Sequence, residues 1–123
     1  MTSILPREII ATLEADEESS VELKRLVKKA RKASDFLKAL AHESRLLILC
    51  LLSERERSVS ELEHLLSLSQ PTVSQHLARL RLDGLVDSRR DGKTVYYVLA
   101  DDMTRRFISA VYDKFCREDK PTG

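Results

Sequence analysis

Residues 67–100 read SLSQPTVSQHLARLRLDGLVDSRRDGKTVYYVLA, and the hydrophobic period changes once within them, at Gly84. Before Gly84, Val73, Leu77 and Leu80 recur at helical spacing. The spacing predicts a helix from Gln70-Pro71 to Asp83, with proline in its first turn and Gly84 just past its end. After Gly84, LVDSRR and TVYYVLA are rich in β-branched and aromatic residues. Asp91-Gly92 between them is a strong two-residue hairpin signal. Few folds accept a helix that ends on a glycine and passes directly into a hairpin. What precedes the helix decides among them.

Upstream, Ser60 and Glu63 have capping-box spacing and predict a short helix over Glu61–Leu66, followed by a tight turn at SLSQPT. His42-Glu43-Ser44 reads as a corner opening a helix over 43–54. Leu23, Leu26, Val27, Ala30, Ala33, Leu37 and Leu40 carry a longer helix, with Ser19 and Glu22 as its capping box. Its other face is basic. Ile9 to Leu13 mark a leading helix with Pro6 in its first turn. The closing helix begins at Asp101-Asp102, whose carboxylates suit a helix N-terminus, and carries Phe107, Ile108, Val111, Tyr112 and Phe115. A short helix, a turn, a second helix and a hairpin make a winged helix-turn-helix, mainly α with a β-hairpin wing. With 33% charged residues, 5% aromatics, and three each of Gly and Pro, composition agrees with a helical chain. The expected organisation is a helical extension over 1–35, a winged-helix domain over 36–117 and a tail over 118–123.

The formal net charge is +1, so any nucleic-acid footprint must be local. The outer and flanking faces of the 70–83 helix carry Thr72, Ser74, Gln75 and Arg79, with Gln70 at the exposed end and His76 beside them. Amides and hydroxyls suit base edges in the major groove, where such a helix leads with its N-terminal residues. Arg89, Arg90 and Lys93 surround the hairpin turn, placed for phosphates beside the groove. Taken alone, the helix would also pass as a polar solvent face and the hairpin as a charged, protected edge. The longest apolar run, LLILCLL, is far short of a membrane span, and MTSILPREII lacks the marks of a secretory signal. A cytoplasmic protein with reduced thiols is expected. No cofactor is called for. A thiol enzyme finds no Cys-x-x-Cys to support it, and a winged-helix adaptor that never touches DNA stays open.

ALAHESRLLIL, SVSELEHLL, SQPTVSQHLARL, DGLV and RRDGKTVYYVL together resemble the ArsR/SmtB family of bacterial winged-helix repressors, over roughly residues 36 to 117. The resemblance implies a homodimer joined by the leading and closing helices, bound to palindromic double-stranded operator DNA and released by an inducer. Apolar faces on the terminal helices independently allow a dimer. Many members of that family sense metals through a Cys-x-Cys before the recognition turn or Asp and His pairs on the closing helix. Here ELEHLLSLS has no cysteine and the closing helix has no histidine. His42, His64 and His76 are dispersed, whereas a transition-metal site needs several convergent ligands.

Two cysteines remain. Cys50, in LLILCLL, reads locally as core filler, while Cys116 borders a charged segment and reaches water. Their contexts, ILC and FCR, resemble the persulfide- and polysulfide-responsive, SqrR/BigR-like branch of the family. That resemblance implies that reactive sulfur species bridge Cys50 and Cys116 within one protomer, by a disulfide or a short sulfur chain, and so release the DNA. A response to another oxidant or to a metal is the alternative within the same family.

Overall fold

The structure is a computed structural model and describes residues 3–15 and 19–116. Two compact units divide the chain, residues 1–38 and 39–123. In the first, α1 (Arg7–Glu14) starts after Pro6, whose carbonyl accepts from the amides of Ile9 and Ile10. Helix α2 (Ser19–Leu40) runs unbroken for 22 residues and ends inside the second unit. The Ser19 side chain of the expected capping box, most of the acidic EADEE stretch and the tail over 118–123 lie outside the described residues.

The second unit holds the core. Helix α3 (Glu43–Glu54) is followed by β1 (Arg57–Ser58), α4 (Val59–Leu66), α5 (Gln70–Leu82), β2 (Val86–Asp91), β3 (Thr94–Leu99) and α6 (Asp102–Phe115). Helix α3 is central, packing on α5, α6 and β3. Ile48, Leu49 and Leu52 of α3 are fully buried with Leu62 of α4 and Val73, Leu77 and Leu80 of α5. Of these, Val73, Leu77 and Leu80 are the residues that helical spacing placed inward. Ile108 of α6 closes the core from the other side.

Several local signals place these elements. The end of α5 is a complete Schellman motif: Gly84 has φ +75°, its amide donates to Arg81, and the Leu85 amide donates to Leu80. Leu80 and Leu85 are both buried, supplying the apolar contact that accompanies this cap. Asp101 caps α6, accepting from the Thr104 amide and hydroxyl, each at 2.8 Å. Those hydrogen bonds hold the Asp101 carboxyl below its ordinary value.

Two local expectations are corrected. The capping box of α4 is Ser58 with Glu61, not Ser60 with Glu63, and the helix begins at Val59. Ser58 is held extended by pairing with Tyr96, so its hydroxyl meets the Glu61 amide at 3.1 Å while the Glu61 carboxylate accepts from the Ser58 amide. The hairpin loop is Gly92-Lys93 rather than Asp91-Gly92. Asp91 still pairs with Thr94, and Gly92 takes the first loop position at φ +64°, where glycine is favoured. The wing also gains an unforeseen strand, giving a three-stranded antiparallel sheet in the order β1-β3-β2.

Candidate DNA-reading surface and thiol cleft

Ser69 caps α5, with its hydroxyl facing the Thr72 amide and lying 2.9 Å from the Thr72 hydroxyl. Thr72 is thereby engaged in the cap. Gln70 donates to the Ser74 hydroxyl at 2.7 Å, one turn along, which orients an amide and a hydroxyl together on the outer face. Gln75 is exposed beside them.

His76 and Arg79 are placed differently. The His76 ring lies 4.6 Å from that of His42, centroid to centroid, and is only partly exposed. Burial, followed by the neighbouring His42 and Arg45, pushes its pKa down. His42 is itself the cap of α3, its Nδ1 accepting from the Ser44 amide at 3.1 Å. His76 therefore docks α5 onto the start of α3. Arg79 is paired with Asp83 on its own helix at 2.7 Å.

The wing separates its three cations. Strand alternation sends Arg89 and Arg90 to opposite faces. Arg89 grips Glu56 with Nε, at 2.8 Å, and with a terminal nitrogen, while its guanidinium lies 4.7 Å over the Tyr96 ring. The Glu56 carboxyl is held below its ordinary value by this hydrogen-bonded contact. Arg90 and Lys93 are exposed and form no ion pair among the described residues. Glu56 and Tyr96 were not anticipated. Tyr96 is the residue directly opposite Arg89 in the hairpin, so correct pairing of the strands identifies it. Glu56 is 33 residues from Arg89 and carries no local signal.

On the other side of α3, Glu43, Leu46, Leu47 and Cys50 form one helical stripe. It faces a second stripe on α6, of Ile108, Val111, Tyr112 and Phe115, extended by Cys116. Together they line a cleft of about 370 Å³, almost wholly apolar, which both thiols share. Cys116 is exposed and Cys50 half-buried. Burial, followed by the like charge of a Cys116 thiolate, raises the Cys50 pKa. Cys50 also borders a more polar cleft with Ser53, Arg105 and Ser109. There Arg105 of α6 donates to the Ser53 carbonyl of α3. No group of three or more His, Cys, Asp or Glu side chains converges to hold a metal among the described residues.

The arsR family of bacterial regulatory proteins matches residues 42–88, from the cap of α3 into the wing. The Biofilm growth-associated repressor of Agrobacterium fabrum is 43% identical over 100 residues, covering 81% of this chain and 86% of its own. The chain belongs to the ArsR family. Transcriptional activator HlyU of Vibrio cholerae is 42% identical over 81% of this chain and 93% of its own. Among solved structures, reduced HlyU from Vibrio cholerae superposes with a TM-score of 0.71 at 44% identity, covering 76% of this chain and 99% of that one. The transcriptional repressor BigR from Xylella fastidiosa does so with a TM-score of 0.68 at 37% identity, covering 80% and 98%. This ArsR-family chain is thus a DNA-binding transcriptional regulator with a winged helix-turn-helix, and not an enzyme.

Proposed function

We propose that this ArsR-family chain is a cytoplasmic, homodimeric repressor that leaves its operator when reactive sulfur species bridge Cys50 and Cys116 within a protomer. The observation that carries this reading is the single cleft that both thiols line, between α3 and α6. In a dimer, the exposed Leu23 and Val27 of α2 gain apolar cover. Base edges fall to Gln70, Ser74 and Gln75, and phosphates to Arg90 and Lys93.

The two thiols differ in readiness. A thiolate is the attacking species, and burial disfavours it at Cys50. Cys116, exposed at the end of α6, reacts first. Its thiolate takes the outer sulfur of a persulfide R–S–SH, forming Cys116–S–SH and releasing the thiol RSH. The Cys50 sulfur then attacks the inner sulfur of Cys116–S–SH. This forms the Cys50–Cys116 disulfide and expels hydrogen sulfide, so no further oxidant is required. If both thiols carry a persulfide, the same exchange leaves a trisulfide and again releases hydrogen sulfide.

Bridging ties α6 to α3, and α3 packs on the recognition helix α5. A shift in α3 re-aims α5, and in a two-fold dimer the half-site spacing amplifies the misfit. A coupling of about 1–3 kcal/mol suffices to lower operator affinity several-fold to a hundredfold.

Intact mass and operator affinity are to be measured with and without a persulfide donor. The disulfide makes each protomer about 2 Da lighter and the trisulfide about 30 Da heavier. Wild-type protein releases the operator, while Cys50→Ser and Cys116→Ser variants hold it. Variants that release DNA as wild type does overturn the thiol switch.

A further inference from the structure

The thiol cleft has a chemical character of its own. Two leucines of α3 face Ile108, Val111 and Phe115 of α6, and its surface is nearly all apolar. Glu43 is its one charged lining residue among the described residues. It stands in the first turn of α3, seven residues before Cys50 and so on the same helix face. A carrier that occupies this cleft lies against hydrocarbon and beside one carboxylate. An anionic carrier is disfavoured twice, by repulsion from Glu43 and by loss of hydration.

We infer that the cleft is a binding site for uncharged, apolar sulfane-sulfur carriers, and that Glu43 acts as the specificity-determining residue that turns anionic carriers away. The inference rests on the thiol-switch reading and names the substrate class of that site. An organic trisulfide R–S–S–S–R illustrates the chemistry. The Cys116 thiolate attacks the central sulfur and releases one RSH, leaving Cys116–S–S–S–R. The Cys50 sulfur attacks that same central atom and releases the second RSH, leaving Cys116–S–S–S–Cys50. The two thiol protons depart with the two RSH molecules, and no electrons are gained or lost overall.

Three short-chain trisulfides provide the test: dibutyl trisulfide (a methyl-ended chain in place of a charged end), bis(2-carboxyethyl) trisulfide and bis(2-aminoethyl) trisulfide. Each is mixed with the reduced full-length protein, and the product about 30 Da heavier is followed by intact mass. Rates are normalised to the reaction of each trisulfide with free cysteine. The dibutyl compound is expected to bridge fastest and the dicarboxylate slowest. Glu43→Gln is expected to speed the dicarboxylate about three- to tenfold, slow the diamine by a similar factor, and leave the dibutyl rate within about twofold. Equal normalised rates in wild type, or a Glu43→Gln variant that moves none of them, overturn the inference while leaving the thiol switch intact. If a persulfide donor bridges the two thiols and no trisulfide does, the inference fails alone; if neither does, the thiol switch itself fails.

Discussion

Arg89, Arg90 and Lys93 look equivalent as a basic cluster, yet they are expected to behave differently on DNA. Arg89 is forked onto Glu56 and stacked on Tyr96. To reach a phosphate it must leave both and strand the Glu56 carboxylate beside a polyanion. Arg90 and Lys93 carry no such debt. Neutralising one phosphate contributes about −0.9 to the slope of log affinity against log salt. Arg90→Ala and Lys93→Ala should therefore each flatten that slope by about 0.9 per bound protomer. Between 50 and 200 mM salt, one lost contact spares about a 3.5-fold loss of affinity. Arg89→Ala should weaken binding with little change in slope, because it removes a wing brace rather than a phosphate contact. Glu56→Gln frees Arg89 and should steepen the slope by up to about 0.9. The assay is fluorescence anisotropy on an operator fragment at five or more salt concentrations. If Arg89→Ala flattens the slope as much as Arg90→Ala does, the pair opens on DNA and the reasoning is wrong.

Two further outcomes concern the core around the recognition helix. The His76 pKa is lowered below its ordinary 6.5, so the unfolded chain takes up the proton first and stability falls as pH drops through that value. The urea midpoint should decline from pH 7.5 to 5.5 in wild type and decline less in His76→Gln. The lowered carboxyls of Glu56, Glu61 and Asp101 lose their stabilising effect only below this window, as pH falls through their folded values. Ser67, at φ 53°, is the one non-glycine residue with positive φ among the described residues, and it turns the chain from α4 towards α5. Relief of left-handed strain, partly offset by glycine's flexibility, should make Ser67→Gly about 0.5 kcal/mol more stable. A lower melting temperature would refute that account.

Much of the fold was legible because its signals are local. Val73, Leu77 and Leu80 mark one face of α5, and Gly84 marks its end. What was missed depends on pairing across the chain. Two residues, Arg57 and Ser58, are too short a run to show a strand period, and they become β1 only because β3 offers a free edge. That pairing sets Ser58 as the cap of α4 and moves the helix start upstream. The candidate site divides in the same way. Exposure of Gln70 and Gln75 follows from helical spacing. The contact of His76 with His42 and the capture of Arg89 by Glu56 depend on neighbours that spacing along one helix does not reveal. The two cysteines were paired in the sequence only by resemblance to other repressors, and the packing of α3 on α6 is what places them on one cleft.

In the proposed switch, helix α3 is the element that joins the thiol cleft to the recognition helix. Its N-terminal cap, His42, meets His76 of the recognition helix. Its last turn is held to α6 by Arg105 on the Ser53 carbonyl. Cys50 lies between these two attachments, and its neighbours Ile48, Leu49 and Leu52 are fully buried. Close-packed side chains such as these resist moving one at a time, so a pull on α3 is expected to displace the helix as a body. A shift or rotation of α3 would reach α5 through the contact of His42 with His76. Under the proposed thiol switch, a sulfur bridge at Cys50 would act on DNA binding through this packing. That places the strongest coupling mutations at His42 and His76, remote from both thiols.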